Sequence, residues 1–167
     1  MTNYRAAVGS ALFLVVAPGV VTGLVPFWLT GWTAGAGWWP PLRVVGAVLV
    51  AAGMAVLLHA FARFVVEGRG TPAPVAPTAE LVVGGLYRYV RNPMYLAVLS
   101  LLVGQALLLS RPVLLAYAAV VGVSVVGFVR GYEEPTLHEQ FGRSYDTYRD
   151  TVPGWGPRLS PRRPPPA

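Results

Sequence analysis

The sequence predicts an all-α polytopic membrane protein, with four transmembrane helices followed by an amphipathic helix on the cytoplasmic side. Three observations carry this. Apolar residues make up 54% of the chain and charged residues 12%, about half the charge of an average soluble domain and too little to cover a water-facing surface. No charged residue falls between Arg5 and Arg43, Arg43 and Arg63, Arg91 and Arg111, or Arg111 and Arg130. Each of these windows approaches or exceeds the roughly 20 residues that cross about 30 Å of hydrocarbon. The arginines, with no lysine beside them, are also lopsided. With the N-terminus cytoplasmic, Arg5, Arg63, Arg69, Arg88, Arg91, Arg130, Arg143, Arg149, Arg158, Arg162 and Arg163 fall inside, and only Arg43 and Arg111 outside. That distribution predicts a multi-pass cell-membrane protein with both termini cytoplasmic.

The spans are expected near Ala6 to Leu29, Val44 to Ala62, Met94 to Ser110 and Val113 to Val129. The first is too long for a signal peptide, whose apolar core is about 7 to 15 residues, although Ala34-Gly35-Ala36 imitates a cleavage site. Gly19-x-x-x-Gly23 in the first span and Ala47, Ala51 and Ala55 in the second are small-residue patterns that predict a close first hairpin over residues 1–66. Trp28, Trp32, Trp38 and Trp39 crowd its uncharged loop, as an aromatic belt at the headgroups does. Residues 67–92 form a cytoplasmic loop, since Pro72, Pro74 and Pro77 prevent regular helix and Gly68, Gly70, Gly84 and Gly85 supply turns. Residues 93–152 hold the second hairpin and the terminal helix. In that helix Leu137, Phe141, Tyr145 and Tyr148 form one apolar stripe, and Pro135 suits the first turn. Residues 153–167 are a Pro/Arg-rich tail expected to be extended or disordered.

Composition excludes several function classes. Without cysteine there is no thiolate chemistry, disulfide or Cys-based metal site, and two separated histidines, His59 and His138, make no metal site either. The net charge of +6 belongs to topology and anionic lipid, because no basic, aromatic-interleaved module for nucleic acid is present. Abundant Ala, Val, Gly, Pro and Arg with no Lys suggest a GC-rich bacterial source.

The chemistry concentrates in two clusters. Arg91-Asn92-Pro93-Met94-Tyr95 opens the third span, and Glu133-Glu134 stands just past the end of the fourth. A membrane-interface anchor explains arginine, proline and tyrosine, but it needs no paired acids. Carboxylates left beside hydrocarbon need a partner, either the nearby arginines or a bound ligand.

The run Gly84-Gly85-Leu86-Tyr87-Arg88-Tyr89-Val90-Arg91-Asn92-Pro93-Met94-Tyr95, followed by Glu133-Glu134-Pro135-x-Leu137-x-x-x-Phe141-Gly142-x-x-Tyr145-x-x-Tyr148, resembles the integral-membrane S-adenosylmethionine-dependent methyltransferases. That group holds the isoprenylcysteine carboxyl methyltransferases and the phospholipid methyltransferases. The resemblance covers about Glu80 to Pro157. It implies S-adenosylmethionine bound at the cytoplasmic ends of the last helices, with Arg91, Asn92, Pro93, Tyr95, Glu133 and Glu134 lining the pocket. It also implies a lipophilic small-molecule or lipid acceptor reaching the site from the bilayer. Asn92 stands where a histidine is frequent; an amide orients a ligand but does not titrate, so no general base is assigned there.

The cofactor's groups call for distinct partners. Carboxylates accept from its ammonium and ribose hydroxyls, an arginine fork matches its carboxylate, and Tyr87, Tyr89 and Tyr95 offer rings or hydroxyls near sulfur and adenine. Gly104 permits close ligand approach and Gln105 is a polar handle within the third span. Tyr145 and Tyr148 either belong to the core or close over adenosine. Two other readings stand beside this one: a membrane reductase with a nicotinamide pocket, although no G-x-G-x-x-G is present, and a non-catalytic membrane scaffold.

Overall fold

The computed structural model describes residues 16–37, 39–66 and 80–160. Helix α1 runs Val16–Thr30, α2 Pro40–Val66, α3 Pro93–Leu109, α4 Pro112–Phe141 and α5 Arg143–Thr151. A 3-10 turn at Gly85–Arg88 precedes α3, and the described residues contain no strand. Proline is the first residue of α2, α3 and α4, a position where its missing N–H has no helical acceptor to lose and its fixed φ suits the helix.

The described residues are therefore all-helical in their regular structure, and among them two helices, α2 over Pro40–Arg63 and α4, are long and apolar enough to cross a bilayer. α3 has 17 residues, about 25 Å at 1.5 Å per residue. Residues 6–15 of the expected first span lie outside the described residues, as do residues 67–79 of the loop, Trp38 and residues 161–167 of the tail.

α2 and α3 form the tightest pair. A Cβ on Gly46 would stand 2.5 Å from the Leu108 nitrogen, and one on Gly104 would stand 2.8 Å from the Gly46 oxygen and 2.9 Å from the Val50 nitrogen. Ser100 Oγ donates to the Leu49 carbonyl at 3.0 Å across the same contact. Leu57, Phe61, Ala97, Val98, Leu101, Leu102 and Ala118 make the core that α4 completes. In hydrocarbon such contacts rest on van der Waals packing, which backbone-to-backbone approach maximises.

The expected close first hairpin does not form through its small residues. Gly23 has open space where a Cβ would stand, and Ala47, Ala51 and Ala55 are exposed. The reason lies in α1. Val20–Leu24 is a π-turn in which the Val25 N–H donates to Val20, and Pro26 follows without an N–H to give Thr22. The carbonyls so released take donors elsewhere: Gln105 Nε2 of α3 reaches Thr22 at 2.8 Å, and Tyr117 Oη of α4 reaches Val21 at 3.2 Å. Helix α1 is thus tied by hydrogen bonds to α3 and α4. At the same end of the molecule, the α1–α2 loop caps the α3–α4 turn. There Gly35 N–H donates to Leu109 at 2.8 Å, and Arg111 Nε donates to Thr33 at 2.9 Å.

The terminal segment also departs from expectation. No separate amphipathic helix begins at Pro135; α4 continues to Phe141 through a second π-turn, Val129–Glu133, Gly142 then breaks the chain with φ 50° and ψ −127°, and the separate terminal helix is α5. This π-turn too ends two residues before a proline, Pro135. Widening the turn accommodates a ring that would otherwise clash with the preceding carbonyl. The stripe nonetheless converges: Leu137 and Phe141 of α4 join Tyr145 and Tyr148 of α5 around Ala60, Val82, Tyr87 and Val152.

Candidate functional site

The site is built where the 3-10 turn, the start of α3 and the second π-turn meet. Gly85 has φ +56°, and a Cβ there would lie 2.7 Å from His59 Nε2 and 2.8 Å from Arg63 Nε. The positive φ favours glycine, whose missing Cβ also leaves room for the His59 and Arg63 side chains as the loop closes onto α2. The closure buries Tyr87, whose carbonyl accepts from Tyr148 Oη at 2.7 Å.

Segment 152–158 then straps the motif from the other side. The Arg91 N–H donates to Pro153 at 2.9 Å, and the Arg158 N–H to Tyr89 at 3.0 Å. Arg91 Nε donates to Val152 at 3.0 Å, and Asn92 Nδ2 to Gly154 at 3.1 Å. Asn92 is buried, and its side chain makes no cap to α3. The Trp155 ring sits 6.5 Å from that of Tyr95. The first residues of the expected tail are therefore part of the site. Sequence reasoning missed them because backbone carbonyls, the atoms that do the work here, leave no residue-type signal.

The paired acids separate. Successive helical residues diverge by roughly 100°, so the two carboxylates face different partners. Glu133 Oε2 accepts from Tyr95 Oη at 2.8 Å. Glu134 Oε1 accepts from Arg91 Nη1 at 2.7 Å, with 15% and 14% of the respective side chains exposed. Arg149 approaches Glu134 more loosely, at 3.5 Å. Arg91 Nη1 also donates to Tyr145 Oη at 3.1 Å. Burial, and then the Glu134 carboxylate, push the Tyr145 phenol above its ordinary range, with Arg91 opposing. Tyr145 thus stays neutral and serves as an acceptor for the arginine.

A cavity of about 290 Å³ opens over this arrangement. Its polar end consists of Tyr87, Arg91, Asn92, Tyr95 and Glu133, beside Pro93. The remaining walls are Ala17, Pro18 and Val21 of α1, Leu57 of α2, Met94 and Val98 of α3, and Val121, Val125 and Phe128 of α4. Glu133 is the one carboxylate among the lining residues. A carboxylate and a guanidinium at one end of an otherwise apolar chamber match a zwitterionic ligand head and exclude water from the rest.

Of the residues expected at the site, Tyr87, Arg91, Asn92, Pro93, Tyr95 and Glu133 line this cavity. Glu134, Tyr145 and Tyr148 stand behind it and hold Arg91 and the Tyr87 backbone. Gly104 and Gln105 are not brought there. Gly104 abuts the α2 backbone and Gln105 donates to α1. His59 is exposed beside Gly85, and His138 pairs with Asp146 on the surface at 2.8 Å.

A sequence model described as phospholipid methyltransferase matches residues 42–144, more than half of the chain. That region runs from the start of α2 through both clusters of the cavity's polar end. Neither the curated proteins nor the solved structures searched give a match.

Proposed function

The chain belongs to the phospholipid methyltransferase family, and we propose that it transfers a methyl group from S-adenosylmethionine to a lipophilic acceptor within a four-span membrane bundle whose termini are both cytoplasmic. One observation carries the reading: the cavity joins Glu133, Tyr95, Arg91 and Asn92 at one end to walls made of Ala, Val, Leu, Pro, Met and Phe. The family implies methyltransferase activity, and the cavity's donor set fits the amino-acid end of this methyl donor.

When bound, S-adenosylmethionine supplies an electrophilic methyl on a sulfonium. Glu133 accepts hydrogen bonds from the donor's ammonium or ribose hydroxyls, its second oxygen being steadied by Tyr95 Oη. Arg91 meets the donor's carboxylate. Glu134, Tyr145 and the Val152 carbonyl hold its guanidinium in one orientation. Asn92, fixed by Gly154, orients without titrating. The apolar walls keep water from the nucleophile and align it with the methyl. Such alignment is worth an effective molarity of about 10⁵ M or more, without an acid or base.

The test is incubation of purified protein with labelled S-adenosylmethionine and a total lipid extract, followed by identification of the labelled species. Donor binding measured against NADPH separates methyl transfer from a nicotinamide reductase. Label in an apolar lipid fraction supports the proposal. Binding of NADPH alone, or of neither ligand, overturns it.

A further inference from the structure

We propose that Gln105 and Tyr117 are positioning residues for the acceptor: they pin α1 as the wall of an apolar compartment that holds the acceptor's hydrocarbon chain. The proposal rests on the methyl-transfer reading above. It begins with two backbone carbonyls that lose their ordinary i+4 donors within α1. Pro26 has no N–H for Thr22, and the π-turn sends the Val25 N–H past Val21 to Val20. A carbonyl without a donor in hydrocarbon costs several kcal/mol, so something must supply one.

Gln105 Nε2 supplies Thr22 at 2.8 Å, and Tyr117 Oη supplies Val21 at 3.2 Å. These bonds come from two different helices and fix both the rotation and the depth of α1. The residues so placed are the cavity's α1 wall: Ala17, Pro18 and Val21, across from Val121 and Val125 of α4. Thr22 Oγ1 donates back to Pro18 at 2.7 Å, carrying the constraint one turn further. None of these wall side chains bears a polar group. The compartment therefore takes a hydrocarbon chain, while the ionic groups remain at the Arg91 and Glu133 end. Neither Gln105 nor Tyr117 lines the cavity, so their effect on the reaction passes through α1.

The experiment uses the full chain in liposomes, labelled S-adenosylmethionine as donor, and n-alkyl amines, carboxylates and thiols of graded length as acceptors. Gln105→Leu combined with Tyr117→Phe should raise the KM of the long-chain acceptor about tenfold, the size of two interhelical hydrogen bonds of modest net strength. Donor affinity and kcat should stay near the parent's. Pro26→Ala in the Gln105→Leu background gives Thr22 a donor within α1 without restoring the tie to α3, so it should recover thermal stability and leave the KM raised; a merely structural role for Gln105 predicts that the KM recovers with the stability. Ala17→Leu should shift preference to shorter chains. Tyr117→Phe removes a single oxygen and keeps the test available if the double variant fails to fold. Unchanged KM in folded variants, or a parallel fall in donor affinity, would overturn the proposal. A parent that binds the donor but shows no preference for long chains overturns it as well. A parent that does not bind the donor overturns the methyl-transfer reading on which it rests.

Discussion

Replacing Glu133 and Glu134 one at a time should separate two roles that adjacent, chemically identical residues play. Glu134 holds Arg91 at 2.7 Å, and only 14% of the Arg91 side chain is exposed. Glu134→Ala leaves that guanidinium with two neutral acceptors, the Val152 carbonyl and Tyr145 Oη. Breaking a fully buried pair costs about 3 to 5 kcal/mol. Residual exposure and the two surviving bonds reduce this to about 2 to 3 kcal/mol. Glu133→Ala removes the acceptor of Tyr95 Oη, a net loss of about 1 kcal/mol in stability. It also removes the cavity's one carboxylate, and donor affinity should fall by about 1.5 to 3 kcal/mol, or roughly 10- to 150-fold. Thermal melting in detergent reads the first effect and calorimetric titration of S-adenosylmethionine reads the second. A control sharpens the comparison: Arg91→Met with Glu134→Met should recover much of the stability lost in Glu134→Ala, because both charges leave together, yet should not recover donor affinity. A Glu134→Ala protein that melts like the parent, beside a Glu133→Ala protein that binds donor like the parent, would refute the division of roles.

Other outcomes follow from particular contacts. Tyr148 is 3% exposed and its hydroxyl caps the Tyr87 carbonyl, so Tyr148→Phe should cost about 1 to 2 kcal/mol in stability; an unchanged melting temperature would contradict it. Gly104→Ala should destabilise by about 1 to 3 kcal/mol by forcing α2 from α3, since the new Cβ would meet the Gly46 and Val50 backbones; a variant that melts like the parent but loses donor binding would return Gly104 to the cofactor site. Reporter fusions at Pro40 and Ala167 should report opposite sides of the membrane, and reports from the same side would defeat the four-span arrangement.

The sequence by itself determined the helical class and the meeting of two clusters some 40 residues apart, Arg91 to Tyr95 with Glu133 and Glu134. These were legible because the cost of a charge in hydrocarbon is a property of a segment, whatever it packs against. The stripe of Leu137, Phe141, Tyr145 and Tyr148 was legible as a buried face, but its break at Gly142 was not. Tertiary structure alone decided which acid faces the cavity, that residues 152–158 complete the site, and that Gly104 and Gln105 serve α2 and α1 instead of the pocket. Gln105 shows why. Its partner lies 83 positions away and is a carbonyl made available only because Pro26 lacks an N–H and the preceding turn is widened. A side chain's residue type states what it can donate, whereas the acceptor it finds depends on which backbone groups the rest of the fold leaves unsatisfied.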